Sequence, residues 1–75
     1  MLEVKTVEIK AIAERQVEWT PKGYSWSSKK TAIIRDGKLE VFPDVQGYFV
    51  EADPDGCIEF FQAIKQAIAE TRENS

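Results

Sequence analysis

The side chains of this 75-residue chain that could do covalent chemistry are few, and none has a neighbour that would activate it. Histidine, the commonest general base, is absent. The single cysteine, Cys57, lies on an apolar stripe, so we expect a structural thiol rather than a nucleophile, and one cysteine excludes an internal disulfide framework. Ser25, Ser27 and Ser28 have no base beside them. We therefore do not expect an enzyme.

Metal and cofactor chemistry find equally little support in the sequence. Asp53, Asp55 and Glu59 resemble a fragment of a calcium loop, but the third ligand position and the glycine spacing do not fit that loop. Capping of a helix explains these acids better. The four glycines are isolated in turns, so neither a phosphate loop nor a dinucleotide fingerprint is present. We predict no metal and no cofactor.

One loop, residues 20–30, combines aromatic and basic side chains. Aromatic rings stack on bases or fill a pocket of a protein partner, and lysines meet phosphates or acidic side chains. The alternative interpretation is that an aromatic ring of the loop folds back over one end of the core and the lysines are merely solvated. The candidate partner-binding residues are Lys22, Tyr24, Trp26, Lys29 and Lys30.

Charge is unevenly distributed along the chain. Residues 20–38 hold five basic residues and a single acid, whereas residues 39–75 hold eight acids and only two bases. The net charge of −3 argues against nucleic-acid binding by the whole surface and favours a protein partner. A local basic region over residues 22–38 keeps nucleic-acid binding open as a second hypothesis.

The element that must organise these residues is an amphipathic helix over residues 53–72. Asp53 is suited to cap it and Pro54 to occupy its first position. Gly56 is its one weak residue and costs about 1 kcal/mol relative to alanine. The helix turns one stripe toward the core, and its members are Cys57, Phe60, Phe61, Ile64, Ala67, Ile68 and Thr71.

Everything before the helix is predicted to be strand and turn. Residues 6–20 alternate polar with apolar side chains, which predicts a half-buried strand with Trp19 in the core, although the composition of residues 8–16 leaves a helix as the alternative. Residues 21–30 form a loop. Residues 31–52 are predicted to form a three-stranded meander with strands at 31–35, 39–42 and 48–52, and Asp36-Gly37 is a strong hairpin signal.

Short connections between these elements favour antiparallel neighbours. We therefore predict a single α+β domain over residues 1–75, in which an antiparallel sheet of about four strands carries one C-terminal helix on one face. No run of 18 apolar residues is present, and neither a signal peptide nor a membrane span is visible. The expected location is the cytoplasm.

The segment Phe42-Pro43-Asp44-Val45-Gln46-Gly47, followed by Tyr48-Phe49-Val50, resembles the turn and third strand of the HicB-type antitoxin domain. The resemblance covers residues 31–70. It departs from the family at Asp53-Pro54-Asp55-Gly56, where glycine and acidic residues are usual, in the missing C-terminal DNA-binding region and in the additional N-terminal strand region. The resemblance implies a non-catalytic module of bacterial or phage origin that binds and blocks a small ribonuclease toxin.

Three functional hypotheses follow from these observations. The leading one is a small non-catalytic protein-binding module, of the antitoxin or phage-inhibitor kind. The second is a nucleic-acid-binding module that uses residues 22–38. The third is a structural or assembly subunit that pairs through an exposed sheet edge, for example as a homodimer.

Overall fold

The computed structural model describes residues 13–73, which form three strands and two α-helices. Strand β1 spans Glu14–Trp19, β2 spans Lys30–Arg35 and β3 spans Lys38–Val41, and they pair antiparallel in the order β1-β2-β3. Helix α1 spans Gly47–Ala52 and α2 spans Pro54–Glu73. Because α2 packs against the sheet, the predicted α+β class is confirmed, with three strands in the described part of the chain.

The alternation along β1 is confirmed where the structure describes it. Gln16 and Glu18 are exposed, and the residues that alternate with them along the strand are buried on the face that α2 covers, here called the helix face. The alternative of a helix over residues 8–16 is wrong from residue 14 onward, and residues 6–12 of the predicted strand lie outside the described residues. The buried row consists of Ala13, Arg15, Val17 and Trp19.

The hairpin between β2 and β3 turns at Asp36 and Gly37, as predicted. Their φ angles of 54° and 78° are both positive, which is the conformation of a type I′ turn. The tip docks on the end of α2, because the Gly37 N–H donates to Thr71 Oγ1 at 2.8 Å. Asp36 also joins the tip to the start of β1, since its N–H donates to the Ala13 carbonyl at 3.0 Å.

The predicted strand over residues 48–52 is wrong, because this segment is helix α1. Phe49 is buried and its neighbour Val50 also packs against the core. Consecutive residues of a strand point to opposite faces, whereas one turn of helix brings both toward the same core. Packing has therefore overridden the strand preference of Tyr48-Phe49-Val50.

Helix α2 begins as predicted. Asp53 caps it, since the Gly56 N–H donates to Asp53 Oδ1 at 3.1 Å, and Pro54 is the first helical residue. The predicted stripe is correct except at Phe61, which is 48% exposed, and at Ile68, which is only partly buried. The core that α2 shares with the sheet and α1 consists of Val17, Trp19, Ala32, Ile34, Phe49, Cys57, Phe60, Ile64 and Ala67.

Candidate functional site

The loop over residues 20–30 has a definite backbone structure. Pro21 is buried, and its carbonyl accepts the Tyr24 N–H at 3.0 Å. A single 3₁₀ turn follows at Trp26–Ser28, in which the Lys29 N–H donates to the Trp26 carbonyl at 3.0 Å. The loop therefore presents its side chains from a folded turn.

Two of the five predicted binding residues pack against α1. The Tyr24 ring meets the Phe49 ring edge-on, with centroids 5.0 Å apart, and Lys30 Nζ lies 4.0 Å from the centroid of the same ring. These contacts bury one side of each residue against the domain itself. For Tyr24 this fits the alternative in which a loop aromatic covers one end of the core.

The other two lysines also have neighbours within the domain. Lys29 Nζ lies 3.5 Å from a carboxylate oxygen of Glu18 on β1, in an exposed ion pair. The backbone N–H of Lys22 donates to Asp53 Oδ2 at 3.2 Å, which ties the start of the loop to the start of α2. The side chain of Lys22 is exposed.

Trp26 differs from the other four, since its side chain is 80% exposed. It sits at the first position of the 3₁₀ turn, and beside it the hydroxyls of Ser25 and Ser27 are 2.6 Å apart, at hydrogen-bonding distance. The two tryptophans of the chain thus have opposite environments, because Trp19 is a core residue as predicted. A large apolar ring therefore lies in solvent on a hydrogen-bonded turn.

Asp53 connects the loop, the sheet and α2. Its carboxylate accepts the Trp19 indole N–H at 2.9 Å in addition to the backbone N–H groups of Lys22 and Gly56. These bonds, that of Trp19 first, lower the pKa of Asp53 because they favour the charged form, and the charge of Lys22 contributes. The carboxylate is fully engaged in holding the fold.

A second surface, not predicted from the sequence, lies along α2 beside Phe42, the residue that follows β3. It is a groove of about 400 Å³, here called the edge groove, and half-exposed phenylalanines at positions 42 and 61 line it with ring centroids 5.9 Å apart. The sequence feature that could have predicted it is a second row of residues on α2, each one position after a residue of the buried stripe. The groove is lined by Phe42, Phe61, Ile64, Lys65, Ile68, Ala69 and Arg72.

Other chemistry is limited in the part of the chain that the structure describes. Within residues 13–73, no cluster of three or more acidic or cysteine side chains is arranged to hold a metal ion. The Cys57 thiol is buried, as expected of a structural cysteine. Neither helix of the same residues is long and apolar enough to cross a membrane.

Comparison of the chain with protein-family models, with curated proteins and with solved structures finds no match.

Proposed function

We propose that this domain is a non-catalytic protein-binding module whose principal contact residue is Trp26. The observation that carries the proposal is the 80% exposure of Trp26 on a hydrogen-bonded turn. Tryptophan is enriched among the residues that dominate binding energy at protein interfaces, because a large rigid ring is desolvated at little cost in conformational entropy. The proposal does not depend on the antitoxin resemblance, whose toxin-blocking role stays a prediction.

A protein partner suits the loop better than a nucleic acid. Backbone recognition of a nucleic acid needs several free cationic side chains beside the stacking ring. Here Lys29 is paired with Glu18 and Lys30 lies over Phe49, and the exposed Lys22 interacts electrostatically with Asp53. The loop therefore combines one exposed aromatic ring, Trp26, with few freely available cationic side chains.

The test compares Trp26→Ala with Tyr48→Ala, a control that removes another exposed aromatic ring, 52% exposed, from α1. Each tagged domain is used to capture proteins from a lysate of the native host, and the captured protein is then purified and titrated. We expect Trp26→Ala to weaken its binding by at least roughly thirtyfold, and Tyr48→Ala to leave the affinity unchanged.

Stability is measured on the same variants, because a variant that unfolds would lose binding without showing that the substituted residue contacts the partner. Trp26 makes so little contact that its truncation should change the unfolding free energy by no more than about 0.5 kcal/mol in a urea melt. Undiminished capture by Trp26→Ala would contradict the proposal. Tight oligonucleotide binding that weakens steeply with salt would replace it with the nucleic-acid hypothesis.

A further inference from the structure

Strand β3 is an edge strand with no covered residue. All four of its residues are exposed, and within residues 13–73 it pairs with β2 alone. Phe42, which follows β3 directly, lines the edge groove, so apolar surface lies near the end of this strand. Such an edge is a template for another strand. The exposed large apolar side chains of β3 and of the edge groove beside its end are Leu39, Val41, Phe42 and Phe61.

The geometry of the hairpin determines which backbone groups of β3 are available. In a two-residue turn, Arg35 and Lys38 form the closing, hydrogen-bonded pair. Opposed residues of antiparallel strands alternate between bonded and non-bonded pairs, so Leu39, opposite Ile34, directs its N–H and C=O away from β2. Beyond this pair the register shifts by one residue, and Val41 rather than Glu40 is opposite Ile33. Leu39 therefore presents both a donor and an acceptor at the free edge.

Strand β3 carries one basic and one acidic residue, Lys38 and Glu40, so the strands of two copies can pair with opposite charges facing each other. We propose that two copies of this chain pair through β3, antiparallel about a twofold axis at Leu39. In this register the two Leu39 residues exchange backbone hydrogen bonds, and Lys38 of each copy lies opposite Glu40 of the other. Opposite charges at facing positions stabilise a strand pair, and like charges destabilise it.

The side chains lie on the faces that this pairing requires. Lys38 is opposite Arg35, and Glu40 comes within 3.8 Å of Arg35 in an ion pair, so both charged residues lie on the face of the sheet away from α2. Leu39 is opposite the buried Ile34 and therefore lies on the helix face. The twofold axis thus brings two leucines together beside the edge grooves of both copies, where they cover apolar surface.

The other edge of the sheet does not suit self-pairing. The exposed row of β1 is acidic, and a twofold axis at Gln16 would place Glu14 of one copy opposite Glu18 of the other. Such like-charge pairs destabilise the contact at both positions. This register at β1 is therefore less favourable than the one centred on Leu39 of β3, although Glu14 and Glu18 also have cationic partners in the domain.

The test uses Lys38→Glu and Glu40→Lys, each measured by sedimentation equilibrium over a range of concentrations. We expect the wild-type chain to self-associate, and each single variant to do so about tenfold more weakly or not at all, because two like-charge pairs replace two opposite ones. An equimolar mixture of the two variants should dimerise like wild type, since every acid then faces a lysine. The double variant should dimerise as well.

The mixture and the double variant keep the same substitutions, so a fold damaged by either substitution cannot produce the expected pattern of loss and recovery. Trp26→Ala should dimerise normally, which makes this result independent of the proposed partner site. A wild-type chain that stays monomeric at all concentrations would overturn the inference. Dimerisation unaffected by the single variants would overturn it too, as would failure of the mixture to recover dimerisation.

Discussion

For the substitution Gly56→Ala, helix propensity and the packing in the structure predict opposite changes in the stability of the domain. Helix propensity alone predicts that alanine at this first-turn position stabilises the domain by about 1 kcal/mol. In the structure a Cβ at position 56 would lie 2.6 Å from both Trp19 Nε1 and Asp53 Cγ, and closer still to Asp53 Oδ2. The methyl group has no free space, because it would occupy the place where the indole meets the carboxylate.

The magnitude follows from what must move. A carbon atom needs roughly 3.5 Å or more from its neighbours, so the buried indole must retreat by almost 1 Å and the nearest carboxylate oxygen by more than about 1 Å. Trp19 is only 6% exposed and stacks at 5.5 Å on Phe60, so the indole has little freedom to shift. Forcing an extra methyl group into a packed site costs about 1–3 kcal/mol, which exceeds or equals the propensity gain of about 1 kcal/mol. We expect a net destabilisation of about 1 kcal/mol.

The assay is urea denaturation of the wild-type chain, Gly56→Ala and Gly47→Ala. Gly47 is the matched control, because a Cβ there has no atom within 4 Å and the residue is also at the start of a helix. In a Trp26→Phe background, Trp19 is the only tryptophan, so its fluorescence reports the indole environment directly. A Gly56→Ala domain that is more stable than wild type, with unchanged fluorescence, would refute the packing argument.

Three further predictions address the helix. Thr71→Val removes the hydroxyl that accepts the Gly37 N–H, so we expect a loss of about 1–3 kcal/mol in urea melts and faster amide exchange at Gly37, and an unchanged exchange rate would contradict this. The lowered pKa of Asp53 stabilises the fold above the pKa of an ordinary aspartate, near 4, and this contribution is lost as pH falls through the lowered value. Thermal melts of Asp53→Asn should therefore lack part of the acid destabilisation of wild type, and parallel pH profiles would count against the assignment. Ile64→Ala should cost about 2–5 kcal/mol and Phe61→Ala only about 1 kcal/mol by chemical denaturation, because Phe61 is half exposed; equal losses would place both side chains in the core.

Local rules predicted the parts of the fold that depend on one or two residues. Asp53 and Pro54 specified the start of α2 because a cap and a first-turn proline act within three residues. Asp36-Gly37 specified the hairpin for the same reason, since positive φ is a property of the turn itself. These features needed no knowledge of the rest of the chain.

Features that depend on distant contacts could not be predicted. Tyr48-Phe49-Val50 has the composition of a strand, but its helical turn is selected by Phe49, which contacts Tyr24 and Lys30 from far earlier in the chain. The special environment of Gly56 is created by Trp19, 37 positions away, and was invisible as a helix-propensity effect. In the loop over residues 20–30 the sequence distinguished the environment of Trp26 from that of Trp19, but the contacts of Tyr24 and Lys30 depend on the placement of α1.

The edge groove and the exposed edge of β3 have one structural origin. Neighbouring strands lie about 4.8 Å apart, so three strands span roughly 10 Å between the outer two, about the diameter of one helix. Such a sheet covers one stripe of α2, and the adjacent row that includes Phe61 and Ile68 extends past β3. The sequence predicted a fourth strand, but its residues form α1 instead. In the proposed dimer, β3 of the second copy takes the place beside β3 that a fourth strand would occupy, and its Leu39 would cover apolar surface next to a strand edge that is unpaired within residues 13–73.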